Sequence, residues 1–158
     1  MADLPHILNW RRVSPRITSS GQPSETELAE IRDLGVRHIL NLGLHDNKGA
    51  LADEPGTVAA LGMSYTYIPV LFDAPAEADF AAFRAALAAR PGAPIHVHCI
   101  YNARVSAFFY RLAKEALGQP QVAFARMESI WRPGGDWAAF LSEPERRGQR
   151  NLYKGEDY

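Results

Sequence analysis

Residues 98–106 read HCIYNARVS, and the folding of this stretch decides how the rest of the chain is arranged. Just before it, residues 94–99 (PIHVHC) alternate like a short strand. Just after it, ARVSAFFYRLAKEALG (103–118) reads as a helix. Cys99, the chain's one cysteine, therefore stands at a strand end, with Arg104 on the first turn of the next helix. A helix amino terminus and nearby cations favour a thiolate over a thiol. The backbone N–H groups of Ile100, Tyr101, Asn102, Ala103, Arg104 and Val105 can curl around the sulfur as an anion nest. Arg104 adds a planar fork that pairs two oxygens of an oxyanion. Asn102 tolerates the left-handed backbone of a tight loop. The plain alternative is a small buried cysteine with a packing role only.

Working outward, strands and helices alternate. RITSSGQP reads as a strand over Arg16 to Ser19 that ends in a turn at Gly21 to Pro23. SETELAEIRDLG (24–35) carries a capping box at Ser24 and Glu27, an apolar stripe at Leu28 and Ile31, and a stop at Gly35. VRHILNLGL (36–44) is a second strand. A polar loop, HDNKGALADEPG, and a short helix around Thr57 to Leu61 follow. SYTYIPV (64–70) alternates as a strand and stops at Pro69. EADFAAFRAALAARPG (77–92) is an amphipathic helix with Phe80, Phe83 and Leu87 on one face. QPQVAFARMESIW and DWAAFL read as two more helices. This order predicts an α/β domain with a mainly parallel central sheet flanked by helices, which binds ligands at the carboxyl ends of its strands. The expected division is a domain over residues 1–142 and a loosely ordered polar tail over 143–158.

The wider composition narrows the function. The chain has 158 residues, is 47% hydrophobic and has a net charge of −1, which suits one domain and argues against nucleic-acid or membrane partners. The first residues, MADLPHILNWRR, lack the apolar stretch of a signal peptide, so a cytoplasmic protein is expected. A single cysteine excludes an intrachain disulfide and a cysteine-rich zinc site.

ITSSGQPSETELAEIRDLGVRHILNL, LGMSYTYIPV and IHVHCIYNARVSAF together resemble the cysteine-dependent phosphatase superfamily. The similarity is to its bacterial dual-specificity-phosphatase-like branch, which includes the phosphatase-like domain of beta-lactamase hydrolase-like proteins. It spans about residues 9–142. It implies a dual-specificity-phosphatase-like fold, a Cys99 nucleophile, an oxyanion-binding Arg104 and a cysteinyl-phosphate (thiophosphate) intermediate. It requires no metal or organic cofactor, and implies a phosphate-bearing small molecule or phosphoprotein as substrate. One departure stands out. The superfamily uses His-Cys-x5-Arg-Ser/Thr, whereas here Arg104 follows Cys99 after four residues. Aligned from the cysteine, Val105 takes the arginine's place and Ser106 that of the hydroxyl. A Cys-x4-Arg loop is the length found in rhodanese-type sulfurtransferases, and a narrower cradle suits a persulfide sulfur. Phosphate-ester hydrolysis, sulfur transfer through a Cys99 persulfide, and a non-catalytic anion- or protein-binding domain all stay open. The oligomeric state is unspecified.

Ester cleavage needs an acid for the leaving oxygen. Asp73, 26 residues before Cys99, is the first candidate and Asp79 the second. Each also reads as ordinary, a turn residue and a first-turn helix acid. His98 is expected to hold the backbone around Cys99. His96 points to the same sheet face, but a third metal ligand is not evident. Ser106 either donates to the sulfur or bonds back to a helix carbonyl. Tyr101 either shapes the pocket mouth or packs. His45, Asp46, Asp53 and Glu54 either shape substrate choice or form an ordinary solvated rim loop, Gln22 reads as structural, and Trp131, Trp137 and Phe140 as packing aromatics.

Overall fold

Residues Ile95–His98 form the central strand of a five-stranded sheet. The computed structural model describes residues 2–116 and 120–155. In chain order the elements are β1 (Arg11–Arg12), β2 (Ile17–Ser20), α1 (Glu25–Asp33), β3 (His38–Asn41), α2 (Glu54–Ala60), β4 (Ser64–Tyr67), α3 (Glu77–Ala88), β5 (Ile95–His98), α4 (Ala103–Glu115), α5 (Pro120–Glu128), β6 (Trp131–Arg132), α6 (Gly135–Phe140) and β7 (Leu152–Tyr153), with a 3-10 turn at Pro144–Arg146. The sheet order is β1-β2-β5-β3-β4. Only β1 runs antiparallel; the other pairings are parallel. The expected α/β architecture is the one observed. No helix among the described residues is long and apolar enough to cross a membrane.

Strand alternation builds two cores. Leu40 of β3 and Ile95 and Val97 of β5 face α3, α4 and α6, meeting Phe80, Phe83, Phe108 and Trp137. Ile39, one residue away on β3, faces the opposite layer, where it meets Leu28 and Ile31 of α1 and Val58 of α2. Cys99 continues the Ile95–Val97 row into the first core. The ring of His96 lies on the other face, stacked on Trp10 at 5.1 Å. The capping box is formed as read: Glu27 N donates to Ser24 Oγ at 3.1 Å, and Ser24 N to Glu27 Oε1 at 2.9 Å. In α4, residues Ala103 to Tyr110 are all buried, because the helix is wedged between the sheet and its neighbouring helices.

Three sequence readings fall short here. The helix read through Trp131 ends at Glu128, and Trp131 pairs with Tyr153 in β6, a contact too distant in sequence to leave a local signal. Two-residue β1 was not anticipated, since strands this short carry no periodic signal. The tail from Glu143 is not loose over 143–155. Its β7 pairs with β6, and the Tyr153 ring stacks on Trp131 at 5.9 Å. Glu143 itself is buried and accepts from Tyr110 Oη at 2.5 Å. Polar composition hid these few anchoring contacts. The expected continuation of α4 through Gly118, the start of the next helix at Gln119 and the last three residues lie outside the described residues.

Candidate active site

The parallel strands β2, β3 and β5 end side by side, and the loops leaving them form the candidate site. Cys99 follows β5 directly and is buried. The next residues turn sharply, with Asn102 at φ +72°, the left-handed conformation expected of it. Its Nδ2 donates to Asn9 O at 2.8 Å and Ser19 Oγ at 3.1 Å, which fixes the turn against the first strands.

Four successive carbonyls of this loop are engaged from outside it. Cys99 O faces His98 Nδ1 at 2.9 Å. Ile100 O accepts from Gln22 N at 2.9 Å, and Tyr101 O from Asn9 Nδ2 at 2.9 Å. Asn102 O accepts from Ser106 N at 3.1 Å, the first bond of α4. In a trans peptide the N–H points opposite to the C=O. The amides of Ile100 to Ala103 therefore point away from the partners of these carbonyls.

Behind the loop lies a buried polar chain. His98 Nε2 is 2.6 Å from Glu54 Oε2, and Gln22 Nε2 donates to Glu54 Oε1 at 2.7 Å. A carbonyl only accepts, so His98 donates to Cys99 O through Nδ1. Burial pushes the Glu54 carboxyl up, but attraction to His98 and hydrogen bonds from His98, Gln22 and Tyr65 outweigh this and hold it below its ordinary value. His98 thus has the backbone-holding place expected of it. Glu54 does not lie in a solvated loop as the sequence suggested; it is 2% exposed. Nothing local marks it, because its partners lie 32 and 44 residues away. The available signal was His98 itself: a strand histidine on a buried face needs a partner. His96 has both ring nitrogens taken, by Thr18 Oγ1 and Ser20 Oγ, each at 2.8 Å.

Arg104 is 1% exposed. Its Nη1 donates to Val70 O at 2.8 Å and its Nη2 to Asn47 Oδ1 at 3.0 Å. Asn47 Oδ1 also accepts from Leu44 N at 3.0 Å, so the loop after β3 holds the guanidinium. Val105, the position aligned with the superfamily arginine, is buried in the core. Ser106 Oγ donates to Ala103 O at 3.1 Å, the helix back-bond.

Asp73 is exposed and sits on the loop between β4 and α3. That loop is pinned on both sides: Val70 O by Arg104, and Phe72 O by Trp137 Nε1 at 2.6 Å. Asp73 shares a cleft of about 350 Å³ with Phe72, Asp136, Trp137 and Arg150. Asp79 has a different task. Its Oδ2 accepts from Ala76 N at 3.3 Å and caps α3. The half-buried Tyr101 packs its ring edge-on to Tyr153 at 6.1 Å, so the carboxyl-terminal segment reaches the cysteine loop. On the rim, His45 stacks on Tyr67 at 3.7 Å.

With this geometry the comparisons with known proteins agree. A model of the beta-lactamase hydrolase-like protein phosphatase-like domain matches residues 9–117. The beta-lactamase hydrolase-like protein of Xylella fastidiosa (strain Temecula1) is 32% identical over 90 residues, 55% of this chain but 21% of that protein. The chain thus matches only about a fifth of these curated relatives. A DUF442 phosphatase structure from Shewanella putrefaciens CN-32 superposes with a TM-score of 0.78 at 32% identity, covering 89% of this chain and 93% of that one. Pseudomonas aeruginosa TpbA, solved in complex with pTyr, shares the fold at a TM-score of 0.64 and 21% identity, over 81% of this chain and 76% of that one. The chain belongs to the family of beta-lactamase hydrolase-like protein phosphatase-like domains.

Proposed function

We propose that the protein is a cysteine-dependent phosphatase acting on phosphomonoesters, carried by a small molecule or a phosphoprotein, and working in the cytoplasm. The observation that carries this reading is that the carbonyls of Cys99 to Asn102 are all taken by protein partners, which leaves the amides of Ile100 to Ala103 beside the only cysteine to serve as an anion cradle. In the first step the Cys99 thiolate attacks phosphorus in line. The ester P–O bond breaks, and the leaving oxygen takes a proton from Asp73. In the second step water attacks the cysteinyl-phosphate, the S–P bond breaks, and Asp73 takes a proton from the water. The amides of Ile100 to Val105 and the Arg104 guanidinium hold the phosphoryl oxygens, while Ser106, which donates to Ala103 O, takes no part in steadying the sulfur. His98 fixes the loop from behind.

The test is turnover of aryl phosphates by wild type and Cys99→Ser, with mass spectrometry of the acid-quenched enzyme for a phosphate adduct on Cys99. Asp73→Asn should slow alkyl phosphates by about 10²-fold or more and nitrophenyl phosphate much less, since nitrophenolate leaves without a proton. Equal slowing of both substrates would remove Asp73 from the acid's role.

One observation favours sulfur transfer as a second reading. Arg104 already donates through Nη1 and Nη2 to protein acceptors, and a persulfide on Cys99 needs no arginine fork. Thiosulfate–cyanide turnover and a gain of one sulfur on Cys99 are its tests.

A further inference from the structure

A cavity of about 560 Å³ lies at the far end of the fold, lined by α3, α4, α5 and the segment leading into β2. Its residues are separate from those of the cysteine loop. Leu87 of α3, Phe109 and Leu112 of α4 and Val122 of α5 make its wall apolar. Val122 is 48% exposed, a large apolar side chain left in contact with solvent. The volume falls within the ~300–1,000 Å³ typical of small-molecule sites.

The charged side chains that line it, among the described residues, have one sign. Arg16, Arg84 and Arg126 line the cavity, and among the described residues no acidic one does. This is a local feature, because the chain as a whole carries −1. Arg84 has Glu115 at 3.5 Å. Arg16 donates to the carbonyls of Arg90 and Ala93, and Arg126 donates to the Val13 carbonyl at 3.4 Å. Among the described residues neither Arg16 nor Arg126 has a carboxylate at ion-pair distance. Burial already holds Arg126 below the usual guanidinium value. A partly desolvated guanidinium without a counter-charge is a cost that an external anion removes.

We propose that this cavity binds a single-tailed amphiphile with an anionic head. The tail lies on Leu87, Phe109, Leu112 and Val122, and the head pairs with Arg126 and Arg16. Leu112 stands eight residues beyond Arg104 on α4, about 12 Å along the helix axis at the α-helical rise. The cavity shares no lining residue with the cysteine loop, so the proposal does not rest on the reaction at Cys99.

The test is calorimetric titration of the full chain with laurate, dodecyl phosphate and dodecyltrimethylammonium, all below micelle formation. Saturable binding of laurate or dodecyl phosphate supports the proposal, and the tighter of the two names the head group. Arg126→Glu should weaken that binding by about tenfold or more and improve binding of the cationic probe. Val122→Asp, at an exposed position, should also weaken it, while Cys99→Ser should not. Four results would overturn the proposal. Neither anionic probe binds saturably; the cationic probe binds wild type as well as they do; both variants keep native circular dichroism and wild-type affinity; or the wild type is a dimer that Val122→Asp turns into monomer, so that a second copy covers the cavity.

Discussion

Asn102 and Glu54 are the residues on which the cysteine loop turns. Asn102 holds a positive φ and two side-chain bonds at once. Asn102→Gly keeps the backbone conformation and loses the bonds, whereas Asn102→Val loses both and adds about 1–2 kcal/mol of left-handed strain. Chemical denaturation should rank wild type above Asn102→Gly and Asn102→Gly above Asn102→Val. An equal cost for the two variants would show that backbone conformation is not what selects asparagine. Glu54→Gln removes one charge of a buried pair and should cost about 3 kcal/mol. The sign of its pH dependence follows from its lowered carboxyl value. The Glu54 contribution is full above the ordinary carboxyl range and disappears as pH falls through the lowered folded value. Wild type and Glu54→Gln should therefore converge in stability in acid. A constant gap between them at every pH would contradict the pair.

At the scale of elements, the site depends on the close approach of two loops. A Cβ on Gly21 would lie 2.6 Å from Ile100 O, a backbone atom that cannot rotate away. Gly21→Ala should displace the cysteine loop and lower Cys99 reactivity toward iodoacetamide at near-native helix content; unchanged alkylation would disprove the constraint. The order of the elements was readable because each helix and long strand carries its own period. The capping box at Ser24 and the alternation through His96, Val97 and His98 are examples, and both depend on neighbours in sequence. The placement of Cys99 and Arg104 at a strand–loop–helix junction was equally legible. What stayed hidden depends on distant partners. Glu54 looks like one more loop acid until His98 and Gln22 close on it, and Tyr153 looks like tail until Trp131 and Tyr101 receive its ring.

For the whole molecule, two histidines add to the Glu54 pair in the response to acid. His96 is fully buried, and burial pushes it well below its ordinary value, with the charge of His98 adding to this. His38 is lowered to about 4, by burial first and then by Arg90. Both bind a proton more readily in the unfolded chain, so stability falls as pH drops below the ordinary histidine value of about 6.5. Urea midpoints should be lower at pH 5 than at pH 7, and midpoints that rise toward pH 5 would reverse this assignment. The two cores on either side of one sheet make this a global loss, since His96 contacts Trp10 on one face while Val97 packs into the other. The family is established over most of the chain, and the reaction at the cysteine is the claim that now needs measurement. The most direct test is rapid acid quench of the enzyme with nitrophenyl phosphate, followed by intact-mass analysis. A phosphate adduct on wild type that is absent from Cys99→Ser, together with Cys99-dependent release of nitrophenol, is the predicted result. No adduct and no turnover by a folded wild-type enzyme would contradict it.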